Sequence, residues 1–216
     1  MGSKPDNPDL WLEPLTPEKH MQDFHEICAD EQAAQWSTLR HTDSFESSKA
    51  LMEKAFMHTA NKPWFINRAV MSSNYPSPNS DGTKMVGIVK TVRASHWGLS
   101  IGYKLRSDCW GKGYATRAVQ MLLDEFWSQP RRAPRREVYA ARKQEEGVAD
   151  DDEDIEITHL IAQVDAENRG SMRVSEKCGG KVVTICEKSV KVWRFDEKRD
   201  MAVWRFDKPP VVPPSA

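Results

Sequence analysis

The clearest periodicity in the chain runs through residues 115–126, where Ala115, Ala118, Val119, Leu122, Leu123 and Phe126 recur at i, i+3, i+4, i+7, i+8 and i+11. That spacing is the apolar stripe of an amphipathic helix. Upstream, Thr16-Pro17-Glu18 offers an N-cap, a proline at the first helical position and an acidic first turn, and Met21, Phe24, His25 and Cys28 follow at helical spacing. A second helix is expected from about Ser44, with Phe45, Ser48, Leu51, Met52, Ala55 and Phe56 along one side. Strand patterns fall at residues 10–13, 64–70, 85–92, 98–105 and 158–164, and the Pro/Asn/Asp/Gly-rich stretch 74–83 reads as the loop of a hairpin. A short helix over 171–178 should end at Gly179-Gly180. Two or three strands then close the chain, and the near repeat Val192-Trp193-Arg194-Phe195-Asp196 and Val203-Trp204-Arg205-Phe206-Asp207 predicts two paired strands there. The order β-α-α-β-β-β-α-β-α-β-β predicts an α/β fold in the α+β sense. Hairpin strands followed by a βαβ crossover give a mixed sheet with helices on both faces.

Organisation along the chain follows from where this texture breaks. Residues 1–9 form a polar leader, 10–207 one domain, and 208–216 a proline-rich tail. Within the domain, 128–156 carries six Arg/Lys against nine Asp/Glu, with Pro130, Pro134 and Gly147 as breakers. It reads as a solvated charged insertion, with 137–146 able to form a short exposed helix. A formal net charge of -1 over 216 residues gives no global field for nucleic acid or an anionic membrane, so neither is an expected partner. Cys28, Cys109, Cys178 and Cys186 show no C-x-x-C spacing, so no metal is expected. With no apolar run of membrane length and no secretory pattern, a reducing, cytoplasmic setting is the expectation.

The segment that carries chemistry is Cys109-Trp110-Gly111-Lys112-Gly113-Tyr114-Ala115-Thr116, between a strand and the strongest helix. Two glycines at that junction let backbone curl round a ligand, with several N–H groups at the positive end of the helix dipole. The result is a phosphate or pyrophosphate site made mostly of main chain, with Lys112 and Arg117 near enough to add charge. The sequence lacks G-x-x-x-x-G-K-[ST], which excludes a P-loop, and Thr116 stands where a dinucleotide fingerprint needs its third glycine.

Ile101-Gly102-Tyr103-Lys104-Leu105 leading into Trp110-Gly111-Lys112-Gly113-Tyr114-Ala115-Thr116 resembles the acetyl-CoA motif of the GNAT superfamily of N-acetyltransferases, in its RimJ/RimL-like branch. Val164-Asp165-Ala166-Glu167-Asn168 and Ser171-Met172-Arg173-Val174-Ser175-Glu176-Lys177-Cys178-Gly179 is similar to that branch's second signature. The resemblance implies a mostly antiparallel sheet of about seven strands, splayed like a V between the strands at Ile101 and Ile161. It also implies acetyl-CoA as cosubstrate, its pyrophosphate on the amides from Gly111 to Ala115 and its pantetheine arm in the splay. On this reading Ile101, Tyr103, Trp110, Gly111, Lys112, Gly113, Tyr114, Ala115, Thr116, Asn168 and Ser171 form the cofactor site. Asn168 contacts the cofactor arm or caps the next helix. Ser171 hydrogen-bonds or protonates the leaving thiolate, and a main-chain N–H near Tyr103 stabilises the oxyanion.

The implied reaction is direct attack of a neutral amine on the thioester carbonyl, which needs proximity, loss of an ammonium proton and oxyanion stabilisation. Many relatives place a Glu base where this chain has Ser100, so the proton must leave through water or a side chain such as His96 or His159. Arg117 and Gly180 also depart from the branch pattern, replacing an acidic residue and an aromatic. The acceptor is a primary amine: a small molecule such as an amino acid or polyamine, and next a protein N-terminus. The alternative is an acyl-CoA-binding module with little turnover, meeting a partner through the insertion. A monomer or a homodimer fits either reading.

Overall fold

The computed structural model describes residues 9–59, 62–75, 83–140 and 153–210. The elements are β1 (Leu10–Pro14), α1 (Pro17–Ala29), α2 (Glu31–Ala34), α3 (Phe45–Thr59), β2 (Asn67–Ser72), β3 (Lys84–Ser95) and β4 (Gly98–Leu105). A single 3-10 turn, Ser107–Cys109, then leads to α4 (Tyr114–Trp127), β5 (Arg132–Pro134), α5 (Arg135–Val138), β6 (Asp154–Glu156), β7 (His159–Asp165), α6 (Arg169–Lys177), β8 (Lys181–Lys191) and β9 (Lys198–Asp207). Seven strands form one sheet in the order β1-β2-β3-β4-β7-β9-β8, antiparallel except for β4 beside β7. The expected mixed, mostly antiparallel sheet is therefore present.

Each face of the sheet has its own core. On one side Ala118, Val119, Leu122, Leu123 and Phe126 of α4 pack on Val70, Val86, Val89, Leu99 and Ile101. Phe126 and Leu122 lose all exposure, each contributing roughly 1.5–3 kcal/mol by leaving water. On the other side Phe24, Ile27 and Cys28 of α1 and Met52 of α3 meet Ala69, Met71, Met85 and Ile88. Alternation along β2 and β3 feeds both cores, as a strand buried on two faces requires.

Three expectations are corrected. The strand expected at 64–70 starts only at Asn67, because Lys62–Phe65 closes a turn in which the Phe65 N–H donates to the Lys62 carbonyl at 2.9 Å. Residues 192–196 are not a strand but the turn between β8 and β9. There Val192 is fully buried, and the Trp193 indole N–H leaves the sheet to donate to the Ala34 carbonyl of α2 at 2.7 Å. The Val203 copy does pair, but with β7 and β8 rather than with its twin. The described ends of 128–156 are not solvated coil either. β5 and β6 form a two-stranded sheet, Ala133 and Val138 are almost wholly buried in the α4-side core, and Ile155 packs against it. Of the helix allowed at 137–146, Glu137 and Val138 fall in α5, Tyr139 and Ala140 lie beyond it, and 141–146 fall outside the described residues. Among the described residues no helix is long and apolar enough to cross a membrane.

Candidate active site

β4 and β7 pair in parallel only at Leu99↔Leu160 and Ser100↔Ile161. β4 continues to Leu105 and β7 to Asp165, so beyond Ser100 the two strands diverge and open the sheet into a V. A bulge helps to set the bend: Thr91 pairs with Ile101 and Ala94 with Leu99, leaving two residues of β3 opposite Ser100 alone. Along the open edge of β4, main-chain groups that point away from β3 have no partner strand.

One hydrogen bond spans the opening. The Tyr103 hydroxyl on β4 donates to Ser171 Oγ on α6 at 2.8 Å. Burial of the phenol pushes its pKa up to about 12, so Tyr103 keeps its proton at neutral pH and acts as donor. Because Ser171 Oγ accepts from Tyr103, its own O–H is free to donate elsewhere. The position of Ser171 is fixed by the turn after β7. Asn168 caps α6 by accepting the Ser171 N–H at 3.1 Å, and its own N–H donates to the Asp165 carbonyl at 2.9 Å. Asp165 is buried; its carboxylate accepts the Glu167 N–H at 2.9 Å and Arg199 Nε at 2.9 Å.

The second part of the site is the loop from β4 to α4. Gly111 and Gly113 have φ of +77° and +78°, the left-handed region that disfavours other residues, and a Cβ on either would find nothing within 4 Å. The glycines are thus required by backbone shape, and the space before them is open. Gly113 caps α4 without any side-chain hydrogen bond, so the first N–H groups of the helix face outward. The root of the loop is pinned. The Ser107 N–H donates to Asp30 Oδ2 at 2.8 Å, Arg106 bridges Glu26 and Asp108, and the Tyr75 hydroxyl donates to Asp108 at 2.8 Å. Although burial acts to raise Asp108, the hydrogen bonds from Arg106 and Tyr75 hold its pKa down at about 2. An uncapped helix start behind an open glycine turn suits a diphosphate.

The remaining sequence-derived residues sort themselves by place. Trp110 donates its indole N–H to the Leu105 carbonyl at 3.2 Å and keeps 39 % of its surface exposed, and Lys112 is exposed beside it. The Tyr114 and Ile101 side chains are buried in the α4-side core, so Tyr114 can offer the loop only its main chain. Ala115 and Thr116 lie in the first turn of α4. Arg117 does not add charge to the loop, because its guanidinium is held by Asp9 at 2.6 and 2.9 Å. His159 is unsuited as a base. It is buried, its Nε2 meets the Trp97 carbonyl at 2.9 Å, and burial lowers its pKa. His96 is exposed at the β3–β4 turn, with Nδ1 at 3.0 Å from the Ala140 carbonyl. Ser100 is buried and its Oγ has no hydrogen-bond partner. At Gly180 a Cβ would meet the Phe206 ring at 2.8 Å, so an aromatic from β9 fills the space beside that glycine.

Sequence reasoning passed over two features. Asp165 and Arg199 hold the turn that carries Asn168 and Ser171, and only the second-signature match hinted at Asp165. Lys90 and Lys104 sit half-buried within otherwise apolar strands, and that interruption of Met85-Val86-Gly87-Ile88-Val89 was the available signal. Among the described residues, no group of three or more His, Cys, Asp and Glu side chains could hold a metal ion.

The chain belongs to the GNAT acetyltransferase family: the model of the Acetyltransferase (GNAT) domain matches residues 9–181. Solved structures with the same fold include a Vibrio cholerae spermidine N-acetyltransferase in complex with CoA and spermine. It has a TM-score of 0.63 at 12% identity, with 94% of this chain and 97% of that one covered. The microcin C7 self-immunity acetyltransferase MccE, in complex with acetyl-CoA and AMP, gives 0.66 at 15% identity, with 93% of each chain covered. RimL, a ribosomal α-N-protein acetyltransferase in complex with CoA, gives 0.64 at 14% identity, covering 94% of this chain and 96% of that one. All three share the fold of this chain. No curated protein sequence matches the chain.

Proposed function

We propose that the protein transfers the acetyl group of acetyl-CoA to the primary amine of a small molecule or amino acid, by direct attack within a ternary complex. The observation that carries this reading is the Tyr103–Ser171 hydrogen bond across the V, beside the glycine turn. The amides from Gly111 to Ala115 hold the pyrophosphate, with Lys112 and Thr116 at the same helix start, and Trp110 lies along the cofactor. Ile101 and Tyr103 line the arm on the β4 side, and Asn168 fixes α6 on the other. Tyr103 and Ser171 are the catalytic pair. The acceptor nitrogen bonds to the carbonyl carbon, the carbon–sulfur bond breaks, and Ser171 passes its proton to the departing sulfur while Tyr103 resupplies it. An unpartnered N–H on the open edge of β4 near Tyr103 stabilises the developing oxyanion. With Ser100 buried and His159 engaged, the ammonium proton leaves to water.

A protein N-terminus is the second acceptor class, favoured by the likeness to RimL. The absence of a base at Ser100 favours an acyl-CoA-binding module with little turnover instead. The cytoplasm suits either reading, since the four cysteines are free thiols. Thiol release from acetyl-CoA, measured over amino acids, amines and N-terminal peptides, tests the proposal. Turnover should appear on one class and fall at least 100-fold in kcat for Ser171→Ala, the scale of a lost proton donor. Acetyl-CoA binding without thiol release on any acceptor would instead establish the binding module.

A further inference from the structure

The α1 side of the sheet carries a feature that acetyl transfer as such does not need. In the β3–β4 ladder Lys104 lies opposite Ile88 and Lys90 opposite Gly102, so the two lysines share one face as diagonal neighbours, about 7 Å apart at Cβ. Ser100 and Gly102 occupy the same face, while Ile101 and Tyr103 point to the α4 side. The pair therefore sits on the reverse of the strand residues that line the V. Both side chains are half-buried against α1 and α2. Among the described residues neither ammonium has a hydrogen-bond or ion-pair partner.

Among the described residues the nearby carboxylates bond directly to other groups, and only Asp30 acts on Lys104, through space. On α1, Asp23 and Glu26 are taken by Lys84, at 3.4 and 2.7 Å, and Glu26 also by Arg106 at 2.5 Å. Between α1 and α2, Asp30 spends its two oxygens on the Ala33 and Ser107 N–H groups. Cys28 is the remaining titratable neighbour, and its burial raises the thiol pKa, so it stays neutral. Two like charges half-withdrawn from water are unfavourable: burial lowers the pKa of both lysines, the Lys104 charge lowers that of Lys90 further, and the Asp30 carboxylate offsets the fall at Lys104. An anion arriving between them relieves both repulsion and desolvation. Between them Gly102 carries no side chain, and a Val92 methyl packs over it, 3.0 Å from where a Cβ would stand.

We propose that Lys90 and Lys104 form an anion-binding pair on the acceptor side of the sheet, and that the acceptor is an amine that also carries a carboxylate. The inference rests on the acetyl-transfer reading and narrows it. An amine bearing a carboxylate is held by its anionic group while its nitrogen reaches the thioester in the V. A polyamine would bring further positive charge to the same two lysines and is excluded.

The test uses the full-length protein and the thiol-release assay, with leucine, glutamate, leucinamide and spermidine as acceptors. A peptide with an acidic first residue and an amidated C-terminus separates a side-chain carboxylate from the α-carboxylate of a free amino acid. Wild type should turn over at least one carboxylate-bearing acceptor with kcat/KM at least ten-fold above leucinamide, and spermidine least of all. Lys104→Met and Lys90→Met should each collapse the acid-to-amide ratio toward unity with the KM for acetyl-CoA unaltered, and Lys104→Arg should keep the ratio. Leucinamide or spermidine equalling the acids overturns the inference while leaving the transferase reading intact, and the wild-type comparison decides this even if a variant fails to fold. A loss of kcat shared by all acceptors, with a displaced pH profile, overturns it in favour of a lysine base. Binding of acetyl-CoA with no turnover of any acceptor overturns it too. Failure to bind acetyl-CoA in calorimetry removes the transferase reading along with it.

Discussion

Substituting Gly113→Ala separates the shape of the glycine turn from its function. A Cβ at Gly113 meets nothing within 4 Å, so the folded protein pays no steric cost. It pays only for holding a residue with a Cβ at φ +78°, roughly 1–2 kcal/mol. For a chain of this size that is a fall of about 2–8 °C in Tm, at 2–4 °C per kcal/mol. Gly179 is the matched control. It has φ +79° with nothing within 4 Å of its Cβ, but it follows the C-terminal end of α6. Gly179→Ala should lose the same stability and leave acetyl-CoA binding alone. Gly113→Ala should also put a methyl group where a phosphate oxygen must approach the amides. Losing one charge-assisted hydrogen bond, about 1.5–3 kcal/mol, raises the Kd for acetyl-CoA on the order of 10- to 100-fold. Thermal unfolding and calorimetric titration of both variants read the two effects apart. Equal Tm losses with an unaltered Kd in Gly113→Ala would refute the cradle.

Three further outcomes follow from the packing. His159 is held neutral in the fold by burial, whereas the unfolded chain takes up a proton near pH 6.5, so its contribution is present above that pH and lost as pH falls below it. The urea midpoint should drop between pH 7.5 and 5.5, and His159→Asn should flatten that slope; an identical slope would remove His159 as the cause. Arg199→Met strands the buried Asp165 carboxylate and loosens the turn that carries Asn168 and Ser171. It should lower Tm and kcat together, and a variant that loses Tm alone would show that Asp165 does not position Ser171. Gly180→Ala drives a Cβ to 2.8 Å from both the Phe206 ring and the Ser175 carbonyl, an overpacking that costs about 1–3 kcal/mol by denaturant titration. A loss under 0.5 kcal/mol would mean that the end of α6 shifts without resistance.

How far this structure can be read from its sequence depends on the range over which each feature is determined. α4 was legible because its stripe is dense and one side of it is wholly buried, so periodicity and burial report the same face. The glycine turn was legible for a similar reason: φ +77° and +78° are demands made by the local backbone, and only glycine meets them freely. The copy at 192–196 misled because Val-Trp-Arg-Phe-Asp has strand propensity wherever it stands. A tertiary contact, the Trp193 bond to Ala34, turned one copy into a loop and left the other in the sheet. The buried ends of 128–156 were missed because charge dominates the segment's composition, while its few apolar residues, Ala133, Val138 and Ile155, face inward. In the site the same division holds. Tyr103 and Ser171 stand 68 residues apart, and no spacing rule joins them. Each was placed by likeness to a family motif, and only the V of the sheet brings the two hydroxyls within reach. Lys90 and Lys104 lie at the opposite extreme, since no motif marks them. Their meaning comes from cross-strand register and from the prior engagement of Asp23, Glu26 and Asp30, none of which sequence order reveals. The proposed cosubstrate half of the site is built from local backbone and is therefore readable from the chain. The acceptor half, on the proposed reading, is built from side chains on α1, β3 and β4, so acceptor identity has to be argued from how those elements pack.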